Sequence, residues 1–262
     1  MVRRSIKCVL EPCEFRGRPA IRKRLEKTVP PWRFYMRREI VLYEAFAKTK
    51  LPVRVPKMLA ADAESGFIVL ERIEGNPLAP SRHKVPSDRA TWNEVVDVAR
   101  AIRTMHVKVD VKPDADDVRA MRSRLLEDPT SPWIADGLVE CARRKLIDVR
   151  VAKQLAKDLK RPVFQHGDLL LRNVLRDARG LVVVDWECAG PHAEGWDAAL
   201  LSVFAPPLAR AALAEGIDAK SLHACFVFAL LREIVFRRGK EDAISERLEE
   251  DLAKALGRAK LR

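Results

Sequence analysis

The chain has no apolar run near the roughly 20 residues that a membrane-spanning helix needs. The longest stretch near the C-terminus, Ala224–Leu231, stops at Arg232. The N-terminal Met1–Lys7 is charged and lacks the apolar centre of a secretory signal. Cysteines number five, an odd count, and none forms a Cys-x-x-Cys pair. Cys8 and Cys13 have no histidine nearby, so neither a zinc site nor a disulfide framework is expected. Reduced thiols and a cytoplasmic location are the expectation. Gly17 is the only glycine of the first hairpin, so the chain has no Gly-x-Gly-x-x-Gly phosphate loop. There is no internal repeat and no low-complexity tract.

What is present is enough for a proper core: 262 residues, 48% of them hydrophobic, fit one large domain or two lobes sharing a cleft. Positive charge is unevenly placed. Residues 1–56 hold 15 Lys and Arg against 5 Asp and Glu, which accounts for most of the chain's net +12. Such an excess favours acidic partners, among them nucleotide phosphates and other polyanions; a solvated basic face explains it equally well.

Residues 5–26 predict a β-hairpin, with strands Ile6–Leu10 and Ala20–Leu25 around a turn at Arg16–Pro19. Residues 33–47 predict a helix closed off by Pro52 and Pro56, and Phe67–Leu70 a strand after the turn Glu64-Ser65-Gly66. The polar connector Glu71–Pro77 marks a lobe boundary, giving residues 1–73 and 74–262. Beyond it, Thr91-Trp92-Asn93-Glu94 has the form of a capping box. Val95, Val98, Ala99, Ile102 and Met105 follow at helical spacing. One or two helices are expected over 133–159, and more over 207–236 and 241–258. Strands first and helices later, with a hairpin inserted among the helices, is an α+β arrangement.

That inserted hairpin carries the chemistry. Gln165-His166-Gly167-Asp168 leads to Asn173, then Val174-Leu175, a turn at Arg176–Gly180, and Leu181–Val184 ending in Asp185-Trp186-Glu187. Folding it back brings Asn173 and Asp185 together. An amide oxygen and a carboxylate suit Mg²⁺, which takes hard oxygen ligands and leaves positions for water and phosphate. Asp168 remains free to orient a hydroxyl or take its proton.

These segments, with Gly195-Trp196-Asp197, resemble the aminoglycoside phosphotransferase and choline kinase-like family of the protein kinase-like fold. Arg38-Glu39-Ile40, Val55-Pro56-Lys57, Val69–Gly75 and Met105-His106 extend the resemblance over roughly residues 18–205. It implies a two-lobed fold, with a small, truncated N-terminal β-sheet lobe and a mainly helical C-terminal lobe. It also implies ATP and Mg²⁺ as cofactors. Asp168 would be the catalytic aspartate, Asn173 and Asp185 the metal ligands, and the backbone of Glu71 to Ile73 the adenine contact. His166 would pack the loop, and Asp197 would brace it from a helix N-terminus. His106 is read as a packed histidine at a helix end and His192 as an exposed one. Trp133, Trp186 and Trp196 are read as core aromatics.

The family's phosphate-binding lysine has no clear counterpart. Counting two residues on from the small Ala20 puts Arg22 in its slot; a shift of one residue puts Lys23 there. Arg22 is the first choice, since arginine binds phosphate well. Glu39 is the expected ion-pair partner and Glu44 the second. Three functions remain open: a kinase for a small hydroxylated metabolite, a kinase for an anionic acceptor such as a lipopolysaccharide-type sugar or a macromolecule, and a regulatory nucleotide-binding module. The basic N-terminal lobe favours an anionic partner. The intact Asp168, Asn173 and Asp185 speak against the regulatory reading.

Overall fold

The computed structural model describes residues 3–4, 7–86, 88–126, 133–240 and 242–257. Ile6, which opens the expected first strand, and residues 241 and 258, which bound the expected last helix, lie outside these.

The chain first builds an antiparallel sheet from β1 (Arg3–Arg4), β2 (Cys8–Phe15), β3 (Arg18–Leu25), β4 (Met58–Asp62) and β5 (Phe67–Glu71), in the order β1-β2-β3-β5-β4. The β2–β3 hairpin is longer than its sequence predicts, because only Arg16 and Gly17 turn. Both have positive φ, 51° and 72°, the conformation of a tight two-residue hairpin whose twist matches its strands. Helix α1 (Trp32–Phe46) packs beside this sheet through Met36, Leu42, Tyr43 and Phe46.

The short strand β6 (Asn76–Pro77) then joins a three-stranded sheet formed later with the expected hairpin, β8 (Val174–Asp177) and β9 (Gly180–Val183). Helix α2 (Arg89–Arg103) starts earlier than expected. Asp88 accepts the Thr91 N–H at 2.7 Å and is the cap, so Thr91 lies inside the helix. Glu94 pairs with Arg176 on the hairpin instead of closing a capping box. Helix α3 (Ala115–Arg122) lies in the helical part of the larger lobe, though the sequence marks no separate helix there. Its polar sequence hides it, but Asp114 and Asp117 form a reciprocal capping box at its start.

Helices α4 (Ile134–Arg143) and α5 (Val149–Asp158) fill the expected 133–159 region. Strand β7 (Pro162–Gln165) pairs with β10 (Gly190–Ala193) around the catalytic-looking loops. Helices α6 (Trp196–Ser202), α7 (Pro207–Ala214), α8 (Ala219–Phe236) and α9 (Ala243–Ala255) complete the larger lobe. Leu138, Trp196, Phe228 and Leu248 anchor its core, whereas Trp186 lies in a second core shared with α1 and α2. Among the described residues no helix is long and apolar enough to cross a membrane.

The two lobes are joined by more than the connector. Arg54 grips Asp177 at the β8–β9 turn with two 2.8 Å hydrogen bonds, and its carbonyl accepts the Val183 N–H at 2.9 Å. Arg33 and Arg37 on α1 pair with Asp114 (3.0 Å) and Asp117 (3.3 Å) of α3. Much of the basic excess in the first 56 residues is therefore committed to pairs within the protein.

Candidate active site

The loop after β7 is shaped by its own residues. Gly167 has φ +85°, and a Cβ there would lie 2.4 Å from the Cys188 carbonyl oxygen and 2.6 Å from His192 Nε2, so only glycine fits. His166 accepts the Asp168 N–H on Nδ1 at 3.3 Å and donates from Nε2 to the Val184 carbonyl at 3.0 Å. Its ring packs on Trp186 at 4.6 Å. Asp197, near the start of α6, accepts the N–H groups of His166 (2.7 Å) and Gly167 (2.9 Å). Burial raises the Asp197 carboxyl above its ordinary range, against these donors and His166. Trp196 Nε1 adds a 2.9 Å bond to the Gly167 carbonyl. Both tryptophans are fully buried.

Asp168 is buried to 3% exposure. Its Oδ2 accepts from Arg172 and from Asn173, each at 3.2 Å, and its Oδ1 meets Arg82 at 3.5 Å. Asn173 Nδ2 also donates to the Asp168 carbonyl at 2.9 Å, which commits the nitrogen side of its amide to that loop. The hairpin does bring Asn173 and Asp185 together: the Asn173 carbonyl accepts the Val184 N–H at 2.9 Å. Asp185 stands at φ 66°, a left-handed conformation that aspartate tolerates better than most residues.

The cationic slot belongs to Lys23, correcting the preference for Arg22. Strand side chains alternate, so one residue decides which face a side chain takes. Lys23 is 4% exposed and its Nζ lies 2.8 Å from Glu39, 2.6 Å from Asp185 and 2.9 Å from Glu187. Arg22 lies on the opposite face, exposed, with only a 3.6 Å approach to Glu11. Burial alone would lower the Lys23 pKa; Asp185 and Glu39 outweigh it and hold the ammonium well above the ordinary lysine value. Asp185 is driven below the usual carboxylate range, since Lys23 and Lys7 overcome its burial. Glu39 is pushed up by burial, against the pull of Lys23. Glu44 is exposed and plays no part.

Two members of this cluster carried no role in the sequence reading. Glu187 follows Asp185 by two residues on the short turn Trp186–Cys188, and Lys7, from before β2, pairs with it. Three carboxylates thus face two ammonium groups, leaving one negative charge. Glu39, Asp185 and Glu187 each offer an oxygen within 4.8 Å of the others, and Glu39 Oε1 is buried without a hydrogen-bond partner. An orphaned oxygen and hard donors together fit a divalent cation such as Mg²⁺.

At the connector, the Glu71 N–H donates to the Lys57 carbonyl (2.8 Å) and the Arg72 N–H to that of Pro19 (3.3 Å). The Ile73 N–H has no partner among the described residues.

A family model described as the phosphotransferase enzyme family matches residues 27–234. The chain belongs to that family. It is a kinase that takes a hydroxyl group as acceptor. No curated protein sequence matches this phosphotransferase. Among solved structures it is similar to a choline/ethanolamine kinase family protein from Mesorhizobium loti, at 17% identity, TM-score 0.59 and coverage of 98% of this chain and 87% of that one. It is also similar to the GDP and kanamycin complex of APH(2")-IIIa (13%, TM-score 0.58, 97% and 91%). A third is the Plasmodium vivax ethanolamine kinase (11%, TM-score 0.55, 98% and 81%). At these identities the likeness is one of fold, and the fold is the expected protein kinase-like one.

Two histidines of this phosphotransferase reverse their expected settings. His106 is exposed. His192 is 1% exposed on β10, where its Nε2 donates to the Cys188 carbonyl at 2.8 Å. Burial, helped by nearby Arg38, lowers its pKa from 6.5 to about 3. The unfolded chain therefore binds a proton that the folded one refuses between these values, and stability falls as pH drops through that window. One such proton is worth about 1.4 kcal/mol per pH unit. His192→Gln, which keeps a donor for Cys188, is expected to flatten the wild-type stability loss between pH 6.5 and 4.5 in urea titrations. Parallel curves would refute it.

Proposed function

We propose that this phosphotransferase moves the γ-phosphate of ATP to a hydroxyl of a small-molecule acceptor. The observation that carries this is the convergence of Asp168, Asn173, Asp185 and the Lys23–Glu39 pair where the N-terminal sheet meets the β8–β9 hairpin and its flanking loops. Asp168 orients the acceptor hydroxyl and receives its proton as the new O–P bond forms and the bond from the γ-phosphorus to the bridging oxygen breaks, releasing ADP. Lys23 holds nucleotide phosphate oxygens, taking the role first given to Arg22, and Glu39 keeps it in place. Asn173 and Asp185 would hold Mg²⁺, with Glu187 beside them. When bound, that ion neutralises charge on the phosphates. The Ile73 N–H and the Glu71 carbonyl receive the adenine edge. Positioning and charge neutralisation make up most of what phosphoryl transfer asks of a protein. The ordered ion pairs around Lys23 favour this reading over a regulatory module.

Calorimetric titration with MgATP, and with ATP in EDTA, tests the nucleotide half. Saturable binding that weakens at least several-fold without metal is expected. No binding under either condition would sink the proposal. A cytoplasmic place of action accords with the use of ATP.

A further inference from the structure

The acceptor side of Asp168 is cationic. Arg172 lies on one carboxylate oxygen and Arg82 on the other. Arg82 is largely covered, its side chain 9% exposed, and fixed: its Nε donates to Glu233 at 2.6 Å, and Glu233 also takes His83 at 3.1 Å. No further carboxylate lies within salt-bridge distance of either guanidinium among the described residues. Asp168 and Glu233 are therefore both already paired, and an ammonium group placed here would meet two arginines with no unpaired counter-charge. Arg172 differs from Arg82. Its side chain is 41% exposed, and its direct contact among the described residues is the ion pair with Asp168, while its charge also acts on Asp185. Its other guanidinium donors have no hydrogen bond among the described residues.

Resting on the kinase reading above, we propose that the acceptor is an anion, a hydroxylated small molecule whose carboxylate or phosphate group is bound by Arg172. The geometry gives this binding a second effect. Oδ2 of Asp168 is occupied by Arg172 and Asn173, so a hydroxyl that takes this oxygen displaces a donor. Arg172 is the one that can move, being long and half-exposed, whereas Asn173 is buried and held by the loop carbonyl. An acceptor anion draws the guanidinium off Asp168 into a charge-assisted pair, and the hydroxyl of the same molecule takes the vacated oxygen. Arg82 stays behind and keeps the site positive. Exposed Phe236, its ring 5.9 Å from the Arg82 guanidinium carbon, offers an apolar surface for the carbon skeleton. A neutral or cationic acceptor lacks the means to open this pair.

Thermal shift in the presence of MgADP, followed by phosphate transfer from MgATP, tests this with three panels: sugar phosphates and hydroxy acids, neutral sugars and polyols, and amino sugars and amino alcohols. Protection and turnover are expected within the first panel, its two halves telling phosphate from carboxylate. With the best acceptor, Arg172→Gln is expected to raise the acceptor KM by about ten- to a hundredfold, leaving that for ATP within about twofold. Preference for the second or third panel overturns the proposal, as does a first panel in which nothing protects. So does an Arg172→Gln variant with lowered kcat and unchanged acceptor KM. A wild type that fails to bind MgADP or MgATP defeats the kinase reading instead, which separates the two failures.

Discussion

Asp168→Asn is expected to reduce phosphate transfer by roughly 10²–10⁴-fold, the range lost when a positioned proton acceptor is removed. Nucleotide affinity should change little, because Asp168 makes no hydrogen bond or ion pair with Lys23, Glu39 or Asp185 among the described residues. The substitution preserves shape and can still accept from Asn173 or Arg172. What it removes is the negative charge held between Arg82 and Arg172, and with it the capacity to take a proton. Single-turnover transfer to an acceptor the wild type uses, set beside calorimetric MgATP binding, separates the two effects. A variant within about threefold of wild type in transfer rate would remove Asp168 from the chemistry.

Lys23→Met is expected to be the most destabilising single change in the cleft. It strips one ammonium from three buried or half-buried carboxylates, with Lys7 alone to answer them. Breaking a buried pair by removing one partner costs about 3–5 kcal/mol. For a chain of this size that lowers Tm by roughly 10 °C. The pH dependence has a definite sign. Lys23 is raised above 10.5, so its contribution is complete below that pH and is lost only as pH climbs through its folded value. Asp185 is depressed below 3.8, so its contribution is present above that pH and is lost as pH falls through its folded value. The Lys23–Asp185 pair is therefore intact from about pH 4 to 10, whereas Glu39, raised by burial, takes up its proton above 4.5. In the variant the uncompensated carboxylates take up protons more readily, Glu39 first because burial already favours its neutral form. The stability gap should be widest near neutrality and narrow as pH falls toward 5. Arg22→Met, on the exposed face, should stay within about 0.5 kcal/mol of wild type. Denaturant titrations across pH test all three; equal losses for the two variants would refute the assignment of the slot to Lys23.

The legible part of the site is the part that is local. His166 to Glu187 fold on themselves, so spacing alone brings Asn173 to Asp185 and leaves Asp168 beside them. Asp197 was legible because a helix start beside a loop favours a carboxylate. Lys23 was missed by one residue. Ala20 looks like the small residue that precedes the lysine, but the strand register pairs Ile21 with Leu70 and Lys23 with Ile68, so Ile21 and Lys23 share a face. Lys7 and Arg82 reach the site from far away in the chain, and nothing in their neighbours marks them. His192 and His106 differ in burial, which depends on what other elements cover them. Helix α3 shows why composition misleads: its stability comes from its cap and from pairs with α1, while its sequence is mostly polar.

Those pairs have a mechanical consequence. Helix α1 precedes the connector, yet its first turns are held to α3, Arg38 donates to the Cys188 carbonyl at 3.2 Å, and Phe46 stacks edge-on against Trp186 at 4.9 Å. Along its whole length it is fastened to the larger lobe. Any widening of the cleft to admit or release a nucleotide then has the sheet pivoting over a stationary helix, with the Lys23–Glu39 pair as the contact that shears. Glu39 is part of the floor, and Lys23 is the piece that travels.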